Sequence, residues 1–339
     1  MKNLVIFIFS IIVLLNTVCF GGVTKTGTTA ATFLKVDVGS RAIGMGGAYV
    51  ALAEDATAMY WNPGGLARIT QNEVVFCHNR WIADITFNFA AIAVPVSSSG
   101  KLGVSATFLT TDEMEVTTVG SPDGTGEMFS VGSYAFGLCY AMSLTDRFSI
   151  GFNLKYIYEY IYHCSAKGAA VDVGTMYDTN FYGIKLGMSI SNYGTKMQMG
   201  GRDLNIPVDP YPSIEGNNSL IDAAMKTEAF ELPLFFRFGA ATDILQGRGD
   251  DKLIVSIDAL HPNDYVEYVN LGGEYVYNNM FALRAGYKTL FADDSEEGLS
   301  LGAGLQYTLE GLATFQVDYA YHDFGILNDV QMFTLALKF

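Results

Sequence analysis

The closing stretch Gln331-Met332-Phe333-Thr334-Leu335-Ala336-Leu337-Lys338-Phe339 decides how the chain is read. Side chains alternate along a strand, so Phe333, Leu335, Leu337 and Phe339 share one face. Met332, Thr334, Ala336 and Lys338 share the other. Upstream, Tyr134–Leu144 repeats the pattern: Tyr134, Phe136, Leu138, Tyr140 and Met142 oppose Gly137, Cys139, Ala141 and Ser143. After a turn at Thr145-Asp146-Arg147, Phe148–Tyr162 carries large residues at every second position. A strand of that length far exceeds the roughly 5–6 residues usual in soluble sheets. Large apolar residues on one face, with small or polar ones opposite, are what a wall between lipid and a lumen needs.

Composition points the same way. Hydrophobic residues make up 50% of the 339 residues, aromatics 13%, and charged residues 16%; soluble domains carry about 25% charged residues. The 36 Gly, 20 Tyr and 23 Phe suit a thinned lumen and aromatic girdles. Lys2 followed by the apolar run Leu4–Leu15, with small residues near Cys19 and Gly21, reads as a signal peptide over 1–21. Asn16-Thr17-Val18 before Cys19 is a poor lipidation box. No later stretch reaches the about 20 apolar residues of a spanning helix. The net charge of −15 excludes a nucleic-acid partner. Cys77, Cys139 and Cys164 form neither a disulfide framework nor a metal spacing.

The expectation is therefore an all-β, 14-stranded antiparallel transmembrane barrel of the bacterial outer membrane, over 73–339, in outer-membrane lipid. The strands are read at 73–79, 82–95, 101–111, 127–144, 148–162, 169–177, 181–192, 231–245, 252–260, 265–277, 280–288, 298–308, 312–321 and 330–339. An even count puts both ends on the periplasmic side and the long connections, Asp112–Gly126 and Tyr193–Phe230, outside. Lys185, Arg237, Asp258, Glu274, Arg284, Lys288 and Asp318 fall opposite the apolar faces of their strands and are expected to form a lumen network of paired charges. Phe333, Leu335, Leu337 and Phe339, ending on an aromatic, resemble the signal that outer-membrane barrels offer to their insertion machinery.

Residues 22–72 do not read as wall. They hold Val38-Gly39-Ser40-Arg41-Ala42-Ile43-Gly44-Met45-Gly46-Gly47-Ala48-Tyr49, then Asp55-Ala56 and Tyr60-Trp61-Asn62-Pro63-Gly64. A short helix is expected over Ala48–Tyr60 and a turn at Asn62–Gly65. The glycine spacing is no nucleotide loop, because no strand–loop–helix unit or GK[ST] accompanies it; no cofactor is expected.

These motifs resemble the N-terminal signature of the PorV/PorQ family. More distantly they are similar to FadL-type channels, which carry Asn-Pro-Ala where this chain has Asn62-Pro63-Gly64. His261-Pro262-Asn263-Asp264, Gly272-Gly273-Glu274-Tyr275 and Leu283-Arg284-Ala285-Gly286-Tyr287-Lys288 extend the resemblance. It implies an N-terminal hatch folded into the barrel, marked by Arg41, Gly44, Gly46, Gly47, Asp55, Asn62, Pro63 and Gly64. Asp37, Arg41, Asp55 and Asn62 are the candidates for pairing with lumen charges.

The resemblance also implies a role in protein export or surface attachment of the type IX kind, with exported cargo proteins or secretion components as partners at the outer loops. The alternative is a FadL-like channel for a hydrophobic ligand, lined by Met197, Met199, Ile206, Ile214, Leu220 and Phe230. No enzyme is expected: His78, His163, His261 and His322 lie near outer strand ends, and no nucleophile motif accompanies them.

Overall fold

The computed structural model describes residues 26–339 except 212, 215–220, 247–248, 293–294, 310 and 328. The stretch read as a signal peptide and Leu220 lie outside the described residues. Among those described, fourteen wall strands follow one another in chain order. They are β1 Glu73–Arg80, β2 Thr86–Pro95, β3 Gly100–Thr110, β4 Val131–Ser143, β5 Phe148–Ile161, β6 Cys164–Asp178 and β7 Lys185–Gly194. Then come β8 Phe235–Asp243, β9 Lys252–Pro262, β10 Tyr268–Tyr277, β11 Phe281–Leu290, β12 Leu299–Leu309, β13 Ala313–Asp323 and β14 Asp329–Lys338. Each pairs antiparallel with its chain neighbours. β1 also pairs with β14, from Glu73 opposite Lys338 to Arg80 opposite Gln331. The ring is closed and has no free edge, as a sheet in hydrocarbon must be.

Alternation explains the wall. Phe136, Leu138, Phe152, Leu154, Phe333 and Leu335 are exposed on its outside, while Cys139, Asn153, Asp258, Glu274 and Thr334 are buried on its inside. The connections at 96–99, 144–147 and 310–312 are short, whereas 111–130 and 195–234 leave from the opposite rim. By the usual asymmetry of such barrels the long loops mark the outer rim and the short turns the periplasmic one. Small hairpins decorate the outer loops, Met114–Glu115 with Met128–Phe129 and Asn205–Val208 with Ile221–Ala224. No helix among the described residues is long and apolar enough to cross a membrane.

Six strand starts differ from the sequence reading by three residues or more, among them β4 at Val131, β8 at Phe235 and β10 at Tyr268, each late. β6 begins at Cys164, five residues early, because Tyr162 takes a positive φ of 53° and reverses the chain in a tight turn. β7 begins late, at Lys185, and β2 late, at Thr86, after a 3-10 turn at Ile82–Asp84.

The chain from Thr26 to Asn72 lies against the inward faces of the strands and is mostly irregular. It holds a 3-10 turn at Thr32–Lys35, α1 Ser40–Gly44, α2 Ala58–Trp61 and a 3-10 turn at Pro63–Arg68. The expected helix over Ala48–Tyr60 shrinks to α2. Residues 49 and 50 instead give their backbone N–H groups to the Asp258 carboxylate, each at 2.8 Å, so a wall side chain replaces helical bonding there. The Asn62 turn forms as read: its Oδ1 accepts from Gly64 N at 3.1 Å, with Pro63 at the first position of the following turn.

Candidate functional site

The interior contacts of residues 26–72 can be followed from rim to rim. At the outer rim the Thr29 hydroxyl donates to Asp264 Oδ2 at 2.7 Å, and Lys35 pairs with the same oxygen at 3.0 Å. Phe33 and Leu34 sit in an apolar cluster with Ala135, Ile157, Met197 and Leu232. Below them Asp37 pairs with Lys288 at 2.9 Å. Ser40 N–H donates to Thr334 Oγ1, and the Ser40 hydroxyl donates to Met332 O, both at 2.9 Å. Near the periplasmic rim Glu54 pairs with Lys185 at 2.7 Å and Arg68 with Asp178 at 2.6 Å. The Asn72 and Phe339 backbones then join at 3.0 and 2.9 Å.

The most heavily bonded point is Glu274 on β10, 1% exposed. Arg41 grips it with Nε at 3.0 Å from Oε1 and Nη2 at 2.6 Å from Oε2. Arg284 on β11 approaches Oε1 at 2.7 Å and reaches on to Asp318 on β13 at 2.6 Å. A buried pair adds little net stability, because desolvation cancels most of the attraction, but removing one partner costs about 3–5 kcal/mol. The network thus fixes where α1 sits more than it stabilises the ring. The Tyr49 hydroxyl donates to Asp55 Oδ2 at 2.7 Å.

Glycines allow the close approach. A Cβ on Gly46, whose φ is +64°, would stand 2.6 Å from Tyr287 N. One on Gly174 would stand 2.1 Å from Asn62 Oδ1. Between these contacts the interior is apolar, with Val38, Tyr49, Val50, Met59, Trp61 and Leu66 buried against Cys77, Phe87, Phe89 and Met332. Arg237 on β8 forms no salt bridge among the described residues. It donates to Ser191 Oγ at 2.8 Å and lies over the rings of Phe235, Tyr60 and Trp61 at 4.5, 5.6 and 5.6 Å. Three π-faces stand in for a counter-charge. An interior cavity of about 470 Å³ opens toward the periplasmic rim and is polar, bounded by Arg41, Glu54, Lys185, Arg284 and Asp318.

The sequence-derived positions divide into separate places. Arg41, Gly44, Gly46 and Gly47 meet β10 to β12, whereas Asn62, Pro63 and Gly64 meet β5 and β6. Of the candidates for pairing with lumen charges, Asp37 and Arg41 do so. Asp55 instead accepts from Tyr49 and Thr57, within its own segment. Asn62 binds backbone, donating to Val50 O at 2.9 Å and Thr175 O at 3.0 Å. Glu274, Arg284 and Asp318 share one network; Lys288 also meets Glu297 at 2.8 Å, and Lys185 stands apart at the lower rim. Phe333, Leu335 and Phe339 are exposed on the outer wall and Leu337 is half-buried.

Sequence reasoning missed the inward Asp172, 2.9 Å from Lys155, and the buried Asp264. Asp172 between Val171 and Val173 was findable from period 2 alone. Of the expected pocket residues, Met197 and Met199 join the outer apolar cluster, while Ile206, Ile214 and Phe230 are exposed. The histidines are scattered: His78 meets Asn88, His163 meets Asp203, His261 meets Glu267, and His322 is buried. No hydrogen bond among the described residues links any of them to a serine. Nor do those residues hold a group of three or more His, Cys, Asp or Glu fit for a metal ion.

Against known proteins, residues 21–191 match the family described as Uncharacterised protein family (UPF0164). No curated protein sequence matches. Among solved structures the chain is similar to a Pseudomonas aeruginosa FadL homologue, with a TM-score of 0.55 at 12% identity over 89% of this chain and 98% of that one. The Pseudomonas putida toluene transporter TodX gives 0.56 at 11% identity over 89% and 97%. The Ralstonia pickettii toluene transporter TbuX gives 0.54 at 10% identity over 89% and 97%. At such identities the likeness is one of fold: a FadL-like barrel. A closed antiparallel barrel with an apolar outer wall is an architecture of the bacterial outer membrane, and this chain is an outer-membrane barrel.

Proposed function

The chain belongs to the uncharacterised protein family UPF0164, and we propose that it is a gated passage for small hydrophobic molecules across the bacterial outer membrane. Residues 22–72 are its hatch and the C-terminal strand its insertion signal. One observation carries the reading. The apolar cluster at the outer end of the barrel is filled by the chain's own Phe33 and Leu34. Those side chains occupy the space an apolar solute would need, and the apolar interior continues below them. The structural neighbours described as a FadL homologue and as toluene transporters support the same reading. The role is non-enzymatic.

The test is uptake of N-phenylnaphthylamine, an apolar dye that fluoresces in lipid, by intact cells carrying the barrel. Cells with the native chain should take it up faster than cells with an empty vector, and Phe33→Ala with Leu34→Ala should raise the rate further. Rates equal to the empty vector for both chains contradict the passage.

A second reading follows from the PorV/PorQ resemblance: handling of exported proteins at the cell surface. What favours it is the outer loop 195–234, where Ile206, Tyr211, Ile214, Ile221 and Met225 are all exposed. Exposed apolar side chains on an outer hairpin suit contact with another protein. Recovery of cell-surface proteins with the affinity-purified barrel, lost on Ile206→Asp with Ile221→Asp, would favour this role over the passage.

A further inference from the structure

We infer that the amino-terminal end of the hatch lies at the cell surface, so that the segment is threaded through the barrel from outside to periplasm. The contacts carry this by their order along the wall. Ala30 N–H donates to Glu231 O at 2.8 Å, and Thr29 bridges Glu231 in parallel. Glu231 belongs to the long outer loop, four residues before β8 starts at the outer rim. Thr29 and Lys35 both bind Asp264, in the outer turn between β9 and β10. Ala31 N–H reaches Glu159 at 3.2 Å, close to the outer end of β5.

From there the partners descend. Lys288 lies near the top of β11, and Asp258 lies within β9. Lys185 is the periplasmic end of β7, and Asp178 the periplasmic end of β6. Asn72 meets Phe339 beside the periplasmic end of β14. The segment therefore crosses the whole barrel once. Thr26, Gly27 and Thr28 are exposed at the outer mouth.

This goes beyond the passage and does not depend on it. A chain with its amino-terminal side outside and β1 beginning at the periplasmic rim must have the ring close around it, or pass through the ring, during assembly. It also places residues 26–28 where antibodies, proteases or surface partners of the cell can reach them.

The test is labelling with a membrane-impermeant maleimide in intact and then permeabilised cells, using full-length Thr26→Cys. Thr117→Cys in an outer loop and Asp146→Cys in a periplasmic turn, both exposed, calibrate the two sides. Cys77, Cys139 and Cys164 are buried, so the unsubstituted chain sets the background. Heat-modifiable migration on gels checks that each variant is folded. Thr26→Cys should label in intact cells to the same extent as Thr117→Cys, while Asp146→Cys labels only after permeabilisation. Labelling of Thr26→Cys that needs permeabilisation overturns the inference. So does its failure to label in either state, because residue 26 would then not be exposed outside. Neither result depends on dye uptake, so failure here is separable from failure of the passage.

Discussion

Gly272 and Gly273 stand side by side on β10, yet they meet opposite worlds. A Cβ on Gly272 would come 2.5 Å from Met45 O, whereas one on Gly273 meets nothing closer than 3.9 Å. One faces Met45 and the other the membrane side. Gly272→Ala should therefore lower the temperature at which the folded barrel converts to its heat-denatured form on gels, by an overpacking cost of about 1–3 kcal/mol. Gly273→Ala should migrate like the native chain; equal effects would mean that Gly272 does not touch Met45. In sequence the pair is indistinguishable, because period 2 says only that they face opposite ways. What each meets depends on Met45, far off in the chain. The same limit explains Asp55 and Asn62. Their polarity marked them as candidates, but only the fold shows that they bind within the segment and to backbone rather than to lumen charges.

At the scale of elements, strands were legible and the course of residues 26–72 was not. Wall strands need only alternate, and the sequence carries that signal even in β4 and β5, where aromatic runs are interrupted by Gly and Cys. β6 was started late because Ser165-Ala166-Lys167-Gly168-Ala169 lacks large residues at alternate positions, although the strand already pairs with β5 there. Residues 48–57 look helical by composition, but their backbone is held by Asp258. The charges that hold the segment join different strands to one chain: Lys35 to the β9–β10 turn, Asp37 to β11, Arg41 to β10 and Glu54 to β7. Glu274→Gln leaves Arg41 and Arg284 short of an anion in a buried site, at a cost of about 3–5 kcal/mol. Dye uptake by cells with Glu274→Gln should rise above that of the native chain. Pairing it with Arg41→Met should give less than the sum of the two separate effects, since the two residues share one contact. Full additivity would separate Arg41 from the wall.

Over the whole molecule, one end of the barrel is sealed by apolar side chains and the other opens on a polar cavity of about 470 Å³. A passage with that interior must work by moving the segment, since the path below Phe33 is filled by Tyr49, Met59 and Trp61 of the same stretch. The class of fold, the strand count and the inward charges could be read from the chain because each is written in period 2. Which residues close the path could not, because closure joins residues hundreds of positions apart. The most direct test is to pin the segment to the wall. Ser40 and Thr334 have their hydroxyl oxygens 2.9 Å apart, and Cys77 lies 3.4 Å from Thr334. Ser40→Cys with Thr334→Cys, in a Cys77→Ser background, therefore offers a reducible cross-link. N-phenylnaphthylamine uptake by intact cells should fall to the empty-vector rate when the pair is oxidised and return to the native rate on reduction. Uptake that is the same in both states would contradict the account, because the solute would then be crossing without residues 26–72 having to move.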